Sequence, residues 1–230
     1  MKSRVFAFIA LLAMVALSCG IPTIGNTGVA TQPVNVVPQV TTAPSNILFQ
    51  DDFSDSGSGW DSVSDSSGVT DYYNGAYRIE VLSDSLSIWA NPSKSFPSDV
   101  RVEVDATKNG GPDDNAFGVI CRYQDTDNFY RFYVTSDGYA GIVRRQGGNA
   151  TVISSADGKL QPVDGINQGA STNHIEGDCI GNTLTLYVNG TLLMTATDSS
   201  FSSGDVGLIA QAFSTGGVDM LFHNFLVTAP

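Results

Sequence analysis

The chain is poor in the residues that most catalytic chemistry uses. It has two histidines, His174 and His223, and only three glutamates, Glu80, Glu103 and Glu176, so a zinc centre would need carboxylate partners. It contains no Gly-x-Ser-x-Gly elbow, no zinc-type spacing of Cys and His, and no phosphate-cradling glycine loop. Basic residues number 11 against 23 acidic, a formal charge of -12; the net field therefore opposes nucleic acid and anionic lipid. Charge is absent altogether from Gly20 to Gln50. Few stretches long enough for a helix are free of Gly, Ser, Asn or Pro, which argues against a helical architecture.

What the amino terminus has is an export pattern. Lys2 and Arg4 precede an apolar run from Val5 to Leu17, then Ser18 and Cys19, the order of a secretory leader. The run is shorter than the roughly 20 residues a spanning helix needs. Ala16-Leu17-Ser18-Cys19 resembles the bacterial lipobox, although leucine is usual where Ala16 stands. Residues 1–18 are thus expected to be a lipoprotein-type signal peptide and Cys19 the lipidation site, with the exported protein anchored on the outer face of a bacterial membrane. The alternative is an ordinary secretory leader. Residues 19–45 carry Pro22, Pro33, Pro38 and Pro44 among Thr, Val, Asn and Gln, a flexible linker that cannot bury a core. At about 3.3 Å per residue it could reach on the order of 80 Å.

Residues 46–230 suffice for one domain with a substantial core. Short alternating runs punctuated by turn residues predict strands near 46–53, 76–82, 86–91, 99–107, 116–123, 128–135, 138–145, 150–154, 173–180, 183–189, 191–197, 205–213 and 217–228. With no room for crossover helices, the sheets should be antiparallel.

Two hairpins can be paired from sequence. With Gln124–Asp127 as a four-residue turn, Cys121 faces Tyr130, Val119 faces Phe132 and Phe117 faces Val134, an apolar core side. The opposite side sets Arg122 against Phe129, Ile120 against Arg131 and Gly118 against Tyr133, unlike a plain solvated face. With Gly181-Asn182 as a two-residue turn, Cys179 faces Leu184, Gly177 faces Leu186 and Ile175 faces Val188. Its other side pairs Asp178 with Thr185, Glu176 with Tyr187 and His174 with Asn189. A slip of one residue would invert both assignments. Cys121 and Cys179 both fall on core sides and form an even pair in an exported chain, so a disulfide is expected; the alternative is two buried free thiols.

The stretches "LFQDDFSDSGSGW", "NAFGVICRYQDTDNFYRFYVTSDGYAGI", "NHIEGDCIGNTLTLYVNGTLL" and "FSSGDVGLIAQAFSTGGVDMLFHNFLV" resemble the concanavalin A-like lectin/glucanase superfamily. Within it they are similar to laminin-G-like and 3-keto-disaccharide-hydrolase-like domains of bacterial surface lipoproteins. The resemblance implies an all-β, two-sheet antiparallel jelly-roll sandwich whose concave face often holds carbohydrate. Arg122, Phe129, Arg131 and Tyr133 are the candidate ligand-binding residues on that face, rings stacking on sugars and arginines donating to hydroxyls or acidic groups. The expected partner is a glycan or cell-surface polymer, bound without catalysis. The family's closing Phe-Asp-Asn-Phe reads Phe222-His223-Asn224-Phe225 here, so an aspartate's role there has no bearer.

Catalysis by the superfamily's glucanase pattern, similar to Glu-x-Asp-x-x-Glu, would use "VEVDATK". Glu103 and Asp105 share a face, but Lys108 replaces the second glutamate and removes a carboxylate the mechanism requires. A hydrolase or lyase reading would have to gather groups from separate strands; His174 with Glu176 or Asp178 is the nearest set. An adhesion module would instead show a broad apolar patch. The acidic turns around Asp51, Asp52, Asp55 and Asp61, Asp113-Asp114-Asn115 and Asp125–Asn128 read first as turn chemistry, with calcium as the alternative. Trp60 reads as a packing plug. The face of Trp89 is open, and Tyr139, Arg144 or Arg145 could extend the groove.

Overall fold

The computed structural model describes residues 46–230; the leader, Cys19 and the linker lie outside the described residues. Period-two alternation dominates, and no helix occurs among them. In chain order the strands are β1 (Ile47–Asp51), β2 (Val63–Ser64), β3 (Gly68–Tyr73), β4 (Ala76–Val81), β5 (Leu86–Ala90), β6 (Val100–Gly110), β7 (Asn115–Asp125) and β8 (Asn128–Val134). They continue as β9 (Tyr139–Gln146), β10 (Asn149–Val152), β11 (Gln161–Pro162), β12 (Thr172–Ile180), β13 (Thr183–Val188), β14 (Thr191–Thr197), β15 (Asp205–Ala212) and β16 (Val218–Thr228).

Two antiparallel sheets result. The nine-stranded sheet runs β14-β13-β12-β6-β16-β4-β3-β2, with β1 also on β16; the seven-stranded sheet runs β10-β9-β8-β7-β15-β5, with β11 on β9. Every strand expected from alternation is present, joined by β2, β3 and β11. Gly68 and Asp71 obscure β3 in the sequence. Its partner β4 approaches so closely that a Cβ on Gly68 would lie 2.1 Å from the Glu80 carbonyl oxygen.

The core lies between the sheets. Val100, Val102, Val104 and Ala106 alternate inward on β6, while Phe117, Val119, Phe132 and Val134 face them from β7 and β8. Trp60 is buried against Phe53, Tyr77 and Phe225, and its indole N–H donates to Asp51. The β12–β13 hairpin takes the expected register from Ile180 with Thr183 to Ile175 with Val188. The β7–β8 hairpin does so only from Phe117 with Val134 to Cys121 with Tyr130. Beyond Cys121 the register shifts and Asp125 faces Asn128, so the expected pairing of Arg122 with Phe129 is corrected by a bulge.

Cys121 on β7 and Cys179 on β12 form the disulfide, which joins the two sheets across the core. Closing a loop of 58 residues constrains the unfolded chain, an effect on the order of 4 kcal/mol in the chain-entropy model. Replacing both cysteines with alanine should lower stability by about that amount, read from urea unfolding with and without reductant. An unchanged midpoint would remove the bridge as a stabilising element.

Candidate functional site

The two outward faces differ in chemistry. On the nine-stranded sheet, charges pair across neighbouring strands: Arg78 with Asp71, Arg101 with Asp178 and Glu176, and His174 with Asp105 and Glu103. Such ladders satisfy one another and are ordinary for an exposed sheet. The outward face of the seven-stranded sheet carries Ala116, Ile120, Phe129, Tyr133, Val143 and Ile209, all buried. Trp89, Tyr123, Val152, Leu160 and Phe213 pack over them. Strand β8 is consequently buried on both sides from Phe129 to Val134.

A depression of about 280 Å³ opens in this face. Arg131, Tyr133 and Val143 come from β8 and β9; Arg145, Ala150 and Val152 from the β9–β10 hairpin; Ser87, Gln211 and Phe213 from the β5 and β15 side, with Leu160 beside them. It is close to the lower end of the size range of small-molecule sites. Arg131 is 3% exposed. Its Nη1 donates to the Tyr133 hydroxyl at 2.8 Å, and that hydroxyl donates to Gln211 Oε1 at 2.9 Å. The guanidinium lies 5.4 Å from the ring centroids of both Phe129 and Tyr133. Its Nε and Nη2 are buried with no hydrogen-bond partner.

The structure thus brings Phe129, Arg131 and Tyr133 to one face and separates Arg122 from them. The bulge puts Arg122 at φ 52°, turning its side chain into the protein. There it donates to the carbonyl oxygens of Ser98, Phe201 and Gly181 and meets Asp99. Buried at 1% exposure, Arg122 ties loops together and does not face the depression; this corrects its placement in the candidate face. Of the two later arginines, Arg145 lines the depression and Arg144 points to Asp198. Trp89 belongs to the outward face, its ring 5.3 Å from Phe129. Ser87, Leu160, Gln211 and Phe213 carried no sequence signal beyond strand alternation, because pairing of β15 with β7 and β5 is what delivers most of them.

A larger depression, about 450 Å³, lies where β1 meets β16. Its Asp and Asn side chains are already engaged: Asp51 accepts from the Phe53 amide and Trp60, Asp52 from Ser54, and Asn224 donates to Asp105. Asp55 and Asp125 likewise cap their own turns, at Gly57 and Asp127, as the turn reading expects. Among the described residues the acidic turns bring no three carboxylate or imidazole ligands together. The one convergent set is Glu103, His174 and Glu176, whose ligand atoms lie within 4.8 Å of one another; Glu176 is also bonded to Arg101 at 3.0 Å.

The chain matches no protein-family model and no curated protein sequence. Solved structures share its architecture, a two-sheet antiparallel jelly-roll sandwich, and one of them, from Bacillus subtilis, is described as having a galectin-like fold. A carbohydrate binding module, CBM66, from Bacillus subtilis is 23% identical, with 75% of this chain and 96% of that one covered and a TM-score of 0.59. Bacillus licheniformis beta-glucanase is 12% identical, covering 79% and 97%, with a TM-score of 0.57. The GH43 BlXynB protein from Bacillus licheniformis is 15% identical, covering 85% of this chain and 41% of that one, with a TM-score of 0.53. At these identities the likeness is one of fold.

Beside the sheet core, Asp198 accepts from Tyr130 Oη at 2.6 Å, the Ser200 amide at 2.8 Å and Arg144 at 2.6 Å. Burial pushes Asp198 up, but the Tyr130 and Ser200 bonds and the Arg144 charge outweigh it and hold the carboxyl below its ordinary value. Burial, then the bond to Asp198, raises the Tyr130 phenol to about 12. A depressed carboxylate contributes stability above its unfolded pKa of about 3.9 and loses it as pH falls through the lower folded value. Asp198→Asn should therefore destabilise the protein at pH 7, with the gap from wild type closing below about pH 3.9; thermal unfolding across pH 2–7 checks this. A gap independent of pH would show that charge is not what Asp198 contributes.

Proposed function

We propose that the protein is a membrane-anchored extracellular module that binds glycan without catalysis, through the depression of the seven-stranded sheet. One observation carries this reading: a buried arginine held between aromatic rings, with a tyrosine and a glutamine bonded in line, borders a concave apolar site. Rings and apolar walls take the flat face of a sugar, and the polar chain orients its hydroxyls. The carbohydrate binding module with the same fold supports a glycan as the ligand class. Export and anchoring rest on the order of Lys2, Arg4, the apolar run and Cys19.

The hydrolase reading has less to work with. No Asp or Glu lines the depression, whereas glycoside hydrolysis calls for two carboxylates flanking one bond. Glu103 and Asp105 stand on the other sheet, engaged with His174.

A glycan array probed with the full-length protein, in calcium and again in chelator, tests the proposal. A selective set of hits is expected, and it should survive chelation because the acidic turns are capped by their own N–H groups. Arg131→Gln with Tyr133→Phe should weaken those hits at least ~10-fold, the scale of losing charge-assisted hydrogen bonds. Phe213→Ala, a half-buried rim change, should weaken them without altering thermal unfolding. Retained binding in both variants would remove this face from the model.

A further inference from the structure

We propose that the depression selects acidic glycans, with the carboxylate of a uronic acid docking on the Nε–Nη2 edge of Arg131. The inference rests on the glycan-binding reading above and narrows it to a class of sugar.

The first support is how arginines are partnered here. Arg78, Arg101, Arg122, Arg144 and Arg145 each have a carboxylate within salt-bridge distance: Asp71, Asp178, Asp99, Asp198 and Asp127. Among the described arginines, Arg131 alone has none. In a chain with 23 acidic residues against 11 basic, the most obvious partner for a buried guanidinium is an internal acid. Leaving a charged group buried and unpaired is costly, so a carboxylate supplied from outside would relieve a penalty that the fold itself leaves standing.

The second support is geometric. Arg78 grips Asp71 with Nε on one oxygen and Nη2 on the other, both at 2.9 Å. Arg101 grips Asp178 in the same way at 2.7 and 2.8 Å. This side-on fork is the strong mode of arginine–carboxylate recognition. In Arg131 the same two atoms are the unpartnered ones, while Nη1 is occupied by Tyr133. The guanidinium is therefore held with its carboxylate-reading edge free. That edge is sealed from solvent, so docking must shift a lining side chain; half-buried Phe213 and Arg145 border the same depression.

The third support is what lines the depression that Arg131 borders. Gln211 and Ser87 can meet ring hydroxyls, and Phe213 and Leu160 give an apolar wall; Arg145 lines it too, with Asp127 as its own partner. A neutral sugar would use the wall and the hydroxyl partners but leave the Arg131 edge unpaired.

The test uses full-length protein and a panel of uronic-acid polymers, namely polygalacturonate, alginate and hyaluronan, each beside its own carboxyl-reduced form. Dissociation constants come from calorimetry in low and in high salt. At least one acidic polymer should bind roughly 10- to 100-fold tighter than its reduced form, the range expected for charge-assisted pairing. Arg131→Lys, which keeps the charge but loses the fork, should cut that preference, with thermal unfolding confirming the fold. Reduced and acidic forms bound equally by wild type would overturn the acidic selectivity and leave glycan binding standing. A preference that survives Arg131→Lys undiminished would overturn the assignment to this edge. No binding to any acidic polymer, with neutral hits on the array, would also overturn the inference; a blank array as well would overturn glycan binding itself.

Discussion

The ring of Phe132 lies against Gly177 between the two sheets, where a Cβ would come within 2.7 Å of it. That contact ties both hairpins to one register. Phe132 faces Val119 across β7 and Gly177 faces Leu186 across β13; a slip of one residue on β12 would bring Glu176 or Asp178 against an aromatic ring. Two residues further along β7 and β12 from Val119 and Gly177 stand Cys121 and Cys179, joined as the disulfide. A close-packed interior tolerates no such misfit, so glycine, ring and bridge specify together how β7–β8 lies over β12–β13.

With β8 held in this way, its alternate residues must go to the other side. Phe129, Arg131 and Tyr133 are delivered outward as a consequence of Tyr130, Phe132 and Val134 being inward. An apolar outward face would ordinarily be a liability for a protein in contact with water. Here the β9–β10 hairpin and residues from β5 and β15 cover it in part, and the part left open is the depression. The nine-stranded sheet meets the same problem differently, by covering its outward face with paired charges. One sandwich thus has one face covered largely by ion pairs and one with a buried arginine that has no carboxylate partner. Fold alone does not distinguish the two; the partnering of each charge does.

Much of this was legible locally. Alternation marked all the longer strands except β3, the Gly181-Asn182 turn set the β12–β13 register, and inward placement of both cysteines anticipated their bridge. Arg131 and Tyr133 could be assigned to a shared face because pairing inward of Cys121 follows from period two. Arg122 could not. Its departure goes with a bulge at positive φ and with hydrogen bonds to the carbonyl oxygens of Ser98, Phe201 and Gly181, which come from loops far away in the chain. Trp89 is undecided in the sequence for a related reason: its neighbours Ile88 and Ala90 are apolar too, so the pattern carries no sign until a neighbouring strand supplies it.

The sequence by itself therefore determined the class of fold, the pairing of β12 with β13 and of β7 with β8 as far as Cys121, the inward placement of both cysteines and the shared outward face of Arg131 and Tyr133, since these depend on a two-residue period and on turns that close nearby segments. Tertiary structure alone decided that Arg122 turns inward, that Gln211 and Phe213 stand beside Arg131, and that Arg131 has no acid of its own. Those outcomes depend on which distant strands become neighbours, and on the absence of a carboxylate within reach, which only the packed sheets can establish.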